Sequence, residues 1–186
     1  MAGIAAMITA ARDEIGAAAA GTDADALEAL AGEIAAARRI ALHGVGREGL
    51  MMRALAMRLF HLGLEAHPVG DMTTPPLGPG DLLLVSAGPG EFATIAALVE
   101  VAHAAGARTA CVTARPGGSV PAACDRVLTI PARTMAEAEG SAGGVLPMGS
   151  VFEGAQFLVF EVLVLRLAAR LGVSPEAMRA RHTNLE

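Results

Sequence analysis

The chain has 186 residues, a length that suits one domain with a full core. It is 53% hydrophobic but only 3% aromatic, so its core must be built from aliphatic side chains and nine methionines. A formal net charge of -5 with no basic cluster argues against a nucleic-acid partner. Mean hydropathy is high, at +0.49. The most apolar run, residues 157–171, nevertheless carries Glu161, Arg166 and Arg170, so no membrane span is expected. No secretory signal is read at the N-terminus, and Cys111 and Cys124 fall in unrelated patterns. A cytoplasmic protein without a disulfide framework is the expectation.

Residues 2–19 and 23–37 are Ala-rich with helical periodicity, and Thr22-Asp-Ala-Asp25 is read as a start signal with Thr22 as the capping hydroxyl. This N-terminal pair over residues 1–38 precedes an alternating α/β pattern over 39–186. Strands are expected at 40–43, 64–69, 82–86, 109–113 and 127–130, with crossover helices at 50–62, 91–105 and 118–123. That alternation predicts a three-layer, doubly wound, five-stranded parallel sheet of flavodoxin-like order. Residues 131–150 form the longest irregular stretch and hold Glu137, Glu139 and Ser141. Irregular segments of this length are often functional. A helix over 152–171 is apolar nearly all round and must be covered by the sheet, by another subunit, or by both. Ser174-Pro175 restarts a short helix before the polar tail.

Two glycine turns stand out. The first closes Arg39-Ile-Ala-Leu-His-Gly-Val-Gly-Arg-Glu-Gly49, and the second is Ser86-Ala-Gly-Pro-Gly-Glu-Phe92. A strand that tips through glycines into a helix aims backbone N–H groups and the positive end of the dipole at one point. In a flavodoxin-like order the strands before these turns are neighbours at the switch point, so both turns are expected to face one crevice.

From residue 39 onward the chain resembles the sugar isomerase (SIS) domain family, and within it the 6-phospho-3-hexuloisomerase group. The resemblance is carried by Gly44-Val-Gly-Arg47, Ala56-Met-Arg-Leu-Phe-His-Leu-Gly63, Val69-Gly-Asp-Met-Thr-Thr-Pro75, Pro147-Met-Gly-Ser-Val-Phe-Glu153 and Arg181-His-Thr-Asn-Leu-Glu186. It implies a tetramer (or dimer) with active sites between subunits. It also implies cofactor-independent isomerisation of a keto-sugar phosphate through an enediol.

The resemblance carries a general base to Glu153, a group assisting ring opening or proton transfer to His61, and a second candidate for that role to His182. On the residues alone, Glu153 also suits a first-turn acid, His61 a structural cation at a helix end, and His182 a solvated tail. The substrate cradle would comprise Gly44, Gly46, Arg47, Ser86, Gly88, Gly90 and Thr73. Glu48 and Glu91 would contact ligand hydroxyls. Arg47 either reaches an anion or pairs with Glu48. No metal-ligand spacing is present, and no metal or organic cofactor is expected.

Departures from the family pattern fall at the phosphate. Glu48 stands where the family's first turn has a serine, and Ala87, Pro89 and Phe92 stand at hydroxyl positions of the second. At an effective dielectric of about 20 and about 4 Å separation, two like unit charges repel by about 4 kcal/mol. A phosphate facing Glu48 is therefore disfavoured, and Pro89 removes a backbone donor. These departures point to an unphosphorylated sugar or polyol, or to a ligand that bears a cation or amine near Glu48. The alternatives are a non-catalytic sugar-sensing module and a dinucleotide-dependent oxidoreductase with Glu65 or Asp71 as the ribose acid.

Overall fold

The structure is a computed structural model that describes residues 3–135 and 144–185. Glu137, Glu139 and Ser141 of the irregular stretch, and Glu186 of the tail, lie outside the described residues. Two N-terminal helices, α1 (Ile4–Ala20) and α2 (Ala24–Ala36), lead into β1 (Ile40–Gly44) and α3 (Gly46–His61). Then follow β2 (Ala66–Pro68), β3 (Leu82–Ser86), α4 (Ala93–Ala104), β4 (Arg108–Thr113), α5 (Ser119–Ala123) and β5 (Arg126–Thr129). The long helix α6 (Ser150–Leu171) and the short α7 (Pro175–Ala180) complete the fold.

All strand pairings are parallel, in the order β2-β1-β3-β4-β5. Every residue of β3 is buried, as its unbroken Leu-Leu-Leu-Val-Ser run requires for a strand covered on both faces. Alternation along the strands splits the core in two. Ile40, Leu42, Leu82, Leu84 and Val112 pack under α2, α3 and α6, while Ala41, Leu83, Val85 and Cys111 pack under α4 and α5. The three-layer expectation therefore holds, with the sheet as its middle layer.

Local chemistry sets the helix ends. Asp23, not Thr22, caps α2: its carboxylate accepts the Ala26 N–H at 2.7 Å. A carboxylate one residue closer to the helix has the right reach, which corrects the expected hydroxyl cap. Helix α3 begins at Gly46, a turn earlier than its apolar periodicity suggests, so Arg47 and Glu48 belong to its first turn. Ser174 caps α7 through the Ala177 N–H at 3.2 Å, with Pro175 in the first turn. Among the described residues, no helix is long and apolar enough to cross a membrane.

Register places the functional edge. Gly44 pairs with Ser86, so β1 and β3 end level with one another and their glycine turns leave the sheet side by side. At position 49 only glycine fits, because a Cβ there would lie 2.4 Å from the carbonyl oxygen of Gly44. This contact lets α3 start directly above the end of β1. Gly49→Ala should destabilise the protein by about 1–3 kcal/mol through overpacking, read as a lower urea midpoint at unchanged m-value. An unchanged midpoint would contradict the close approach.

Candidate active site

The crevice lies at the carboxyl ends of β1 and β3, where chain order reverses and open parallel sheets place their ligands. The first turn contributes Gly44, Gly46, Arg47 and Glu48. The second contributes Ser86, Gly88 and Gly90, with Glu91 exposed at its rim. Thr73 is exposed in the loop after β2, at the same edge of the sheet. Its neighbour Thr74 fixes that loop, donating its hydroxyl to Pro68 O at 2.7 Å.

Glu48 is the buried centre of this arrangement. Only 6% exposed, it turns inward from the first turn of α3, and its Oε2 accepts the Ser86 hydroxyl at 2.6 Å and the Gly88 N–H at 2.9 Å. Ser86 is in turn fixed by Gln156 of α6, whose Nε2 donates to its Oγ at 2.9 Å. The Glu48 carboxylate is thus engaged inside the protein through its Oε2. Burial pushes the Glu48 carboxyl above the usual carboxylate range, the bonds from Ser86 and Gly88 pull it back, and the charge of Glu153 adds to the upward push.

Arg47 pairs with Glu153 rather than with Glu48. Its Nη2 lies 2.9 Å from Glu153 Oε2, and its Nη1 donates to Ser150 Oγ at 3.1 Å. Glu153 sits in the first turn of α6, largely buried, with its carboxyl raised by burial and lowered by Arg47. The start of α6 thus faces the start of α3 across the crevice.

On the far side, the loop after β4 braces the second turn. Gly90 has a φ of +85°, and a Cβ on Gly118 would come within 2.5 Å of its backbone, so both positions require glycine. Val120 N–H closes the contact by donating to Gly90 O at 3.1 Å.

His61 and His182 lie elsewhere. His61 ends α3, 13 residues beyond Glu48, which is about 20 Å along the helix. There it is buried, with the ring of His182 at 5.2 Å between centroids. Arg181 ties the tail to this end, donating to His61 O at 3.2 Å. Within one protomer the two histidines are thus far from Glu153. Glu65 is ion-paired with Arg39 at 2.6 Å at the opposite edge of the sheet, and Asp71 with Arg53 at 3.1 Å.

Sequence reasoning missed Gln156 and Thr113. Gln156 is fully buried, and a lone amide three residues after Glu153 in an apolar helix was its available signal. Thr113, also fully buried, donates to Ala87 O at 2.7 Å and receives the Arg115 N–H at 3.0 Å, which holds the floor of the second turn. Nothing in its local pattern distinguishes it from any strand threonine. Among the described residues, no group of three or more His, Cys, Asp or Glu side chains is arranged to hold a metal ion.

Residues 33–164 match the SIS domain family. The chain belongs to the SIS family. It is 39% identical over 175 residues to a 3-hexulose-6-phosphate isomerase of Mycobacterium gastri, covering 94% of this chain and 87% of that protein. A 3-hexulose-6-phosphate isomerase of Bacillus subtilis is 35% identical over 157 residues, covering 84% of this chain and 85% of the other. A Methanococcus jannaschii crystal structure, inferred to be a 3-hexulose-6-phosphate isomerase, superimposes with a TM-score of 0.83 at 25% identity. That match covers 96% of this chain and 98% of that one. The five-stranded parallel sheet with flanking helices is the SIS fold.

The buried carboxyl of Glu48 gives this SIS protein a pH signature. Its ordinary value is 4.5 and folding raises it, so the folded state holds the proton more tightly than the unfolded chain. The stability associated with that proton is full below the ordinary value and is lost as pH rises through the raised one. Wild type should therefore lose stability relative to Glu48→Gln as pH is raised from 4.5. Denaturant unfolding of both proteins across pH tests this, and a pH-independent difference would contradict it.

Proposed function

We propose that this SIS protein is a cofactor-independent sugar isomerase that moves a proton between adjacent carbons of a keto sugar through an enediol. The observation that carries the reading is the placement of Glu153. Its carboxylate is largely buried at the mouth of the crevice and faces the Arg47 guanidinium at 2.9 Å. A carboxylate serves as a proton carrier when its pKa is moved toward the working pH, and burial supplies that push here. Arg47 is placed to exchange Glu153 for the oxygen that gains charge as the enediol forms. The relatives named 3-hexulose-6-phosphate isomerase support the reaction class.

The substrate differs in this reading: a ketose or polyol-like sugar without a phosphate in the cradle. Ala87, Pro89 and Phe92 offer no hydroxyl to an anion, and Glu48 is already bonded to the turn that would hold one. The same losses suit a sugar-sensing module without turnover, and wild-type catalysis separates the two. Proton transfer through an enediol in deuterium oxide places deuterium at the exchanging carbon, which NMR detects. Glu153→Gln should lower kcat by about 10²–10⁴-fold with KM little changed. Absence of wild-type turnover on a panel of free and phosphorylated ketoses would favour the sensor.

His61 and His182 enter this scheme from another subunit, as members of a site shared across a homotetramer or homodimer. An apolar outer face supports assembly: Leu165 is 69% exposed on α6 and Phe60 54% exposed on α3, with Phe157, Leu158 and Val162 alongside. Next to Glu153 lies a cavity of about 570 Å³ whose walls include Ile15, Leu50, Met51, Phe157 and Leu158. Arg47, Ser150 and Glu153 line its polar side, and the apolar side suits side chains of a neighbouring copy. Light scattering should report an oligomer for wild type, and Leu165→Glu should shift it toward smaller species with loss of activity. A monomeric, fully active wild type would exclude shared sites.

A further inference from the structure

The backbone donors of the second glycine turn can be accounted for one by one over residues 87–90. Ala87 N–H donates to Val112 O at 2.9 Å, and Gly90 N–H to Ala87 O at 2.9 Å. Pro89 has no N–H. Gly88 N–H donates to Glu48 Oε2. The Ser86 hydroxyl also points to Glu48, because its oxygen already receives the Gln156 amide. An oxyanion held by a turn N–H and a hydroxyl, near the first turn of a helix, is how such cradles bind anionic ligands. Here the oxyanion is part of the chain.

We infer that Glu48 is the charge-selectivity residue of the crevice: its carboxylate occupies the place where the two turns would otherwise hold a ligand phosphate. This inference deepens the proposed use of an unphosphorylated sugar and rests on it. A phosphate seated on the Gly88 N–H and the Ser86 hydroxyl would have to break both bonds to Glu48 and leave that carboxylate 6% exposed without these partners, beside Glu153. A buried carboxylate stripped of its hydrogen bonds is strongly disfavoured, and neutralising it requires the uptake of a proton, so wild type resists the exchange. An uncharged sugar makes no such demand. It can approach the exposed rim at Glu91 and Thr73 with the internal bonds intact.

Removing the side chain should reverse the selectivity. Glu48→Ser frees the Gly88 N–H and the Ser86 hydroxyl and adds a third donor on α3. Inorganic phosphate and fructose 6-phosphate, with fructose as the uncharged control, can be titrated into wild type and variant by calorimetry and thermal shift. The expected result is no phosphate-dependent stabilisation of wild type and saturable phosphate binding by Glu48→Ser, tighter by about tenfold or more. Equal phosphate binding by the two proteins, or a folded variant with no gain, overturns the inference. Should the variant not fold, the Gly88 amide resonance of wild type gives the answer. It stays unmoved under phosphate if Glu48 holds the turn, and a saturable shift overturns the assignment. The outcomes also separate the two readings. Wild type that rejects phosphate yet turns over no sugar sinks the isomerase and leaves Glu48 in its role, whereas rapid isomerisation of a sugar phosphate does the reverse.

Discussion

One carboxylate joins the two halves of this crevice. Beyond Gly44 and Ser86 the ladder between β1 and β3 ends, and each chain leaves in its own glycine turn. Glu48 reconnects them, reaching from α3 to the hydroxyl and amide of the opposite turn. The bond acts at the switch point of the sheet, where nothing in the backbone pattern obliges the turns to keep a fixed spacing. Gln156 extends the network to α6, so the element that carries Glu153 is tied to the same centre. The two turns and the start of α6 thus share one buried connection.

The order of elements and the sheet topology were legible because they are written in local terms. An unbroken apolar run such as Leu82–Ser86 cannot be half-exposed, and glycines after such runs mark where the chain must turn. The start of α3 was harder to place, since Gly46 and Gly49 look like loop while a backbone contact holds them in helix. The direction of Glu48 was illegible for a different reason. It depends on how α3 is rotated against β3, and a carboxylate beside a glycine turn reads equally well as a wall of the pocket. The pairing of Arg47 with Glu153 joins residues far apart in the chain, and no local spacing announces it.

Helix α3 separates two chemistries. Its first turn carries the crevice, and its last turn carries His61 against His182 and Arg181. A reaction drawing on both ends needs a second molecule to present the far end of its own α3. The exposed apolar rows on α3 and α6 flank this route, so in the proposed assembly the surface that would cover hydrophobic side chains is also the one that would complete the site.

The close approaches at Gly49 and at Gly90 with Gly118 have a meaning of their own. In each, main chain rests on main chain, and no side chain is needed to hold that contact. The shape of each turn is therefore independent of what lines it, while Glu48 sets the spacing between the two. Residues 87, 89 and 92 can exchange hydroxyl, ring or methyl while the glycines hold the same contour. A fold built this way can change its diet without changing its shape: new ligands require new linings, and the casting that receives them is inherited intact.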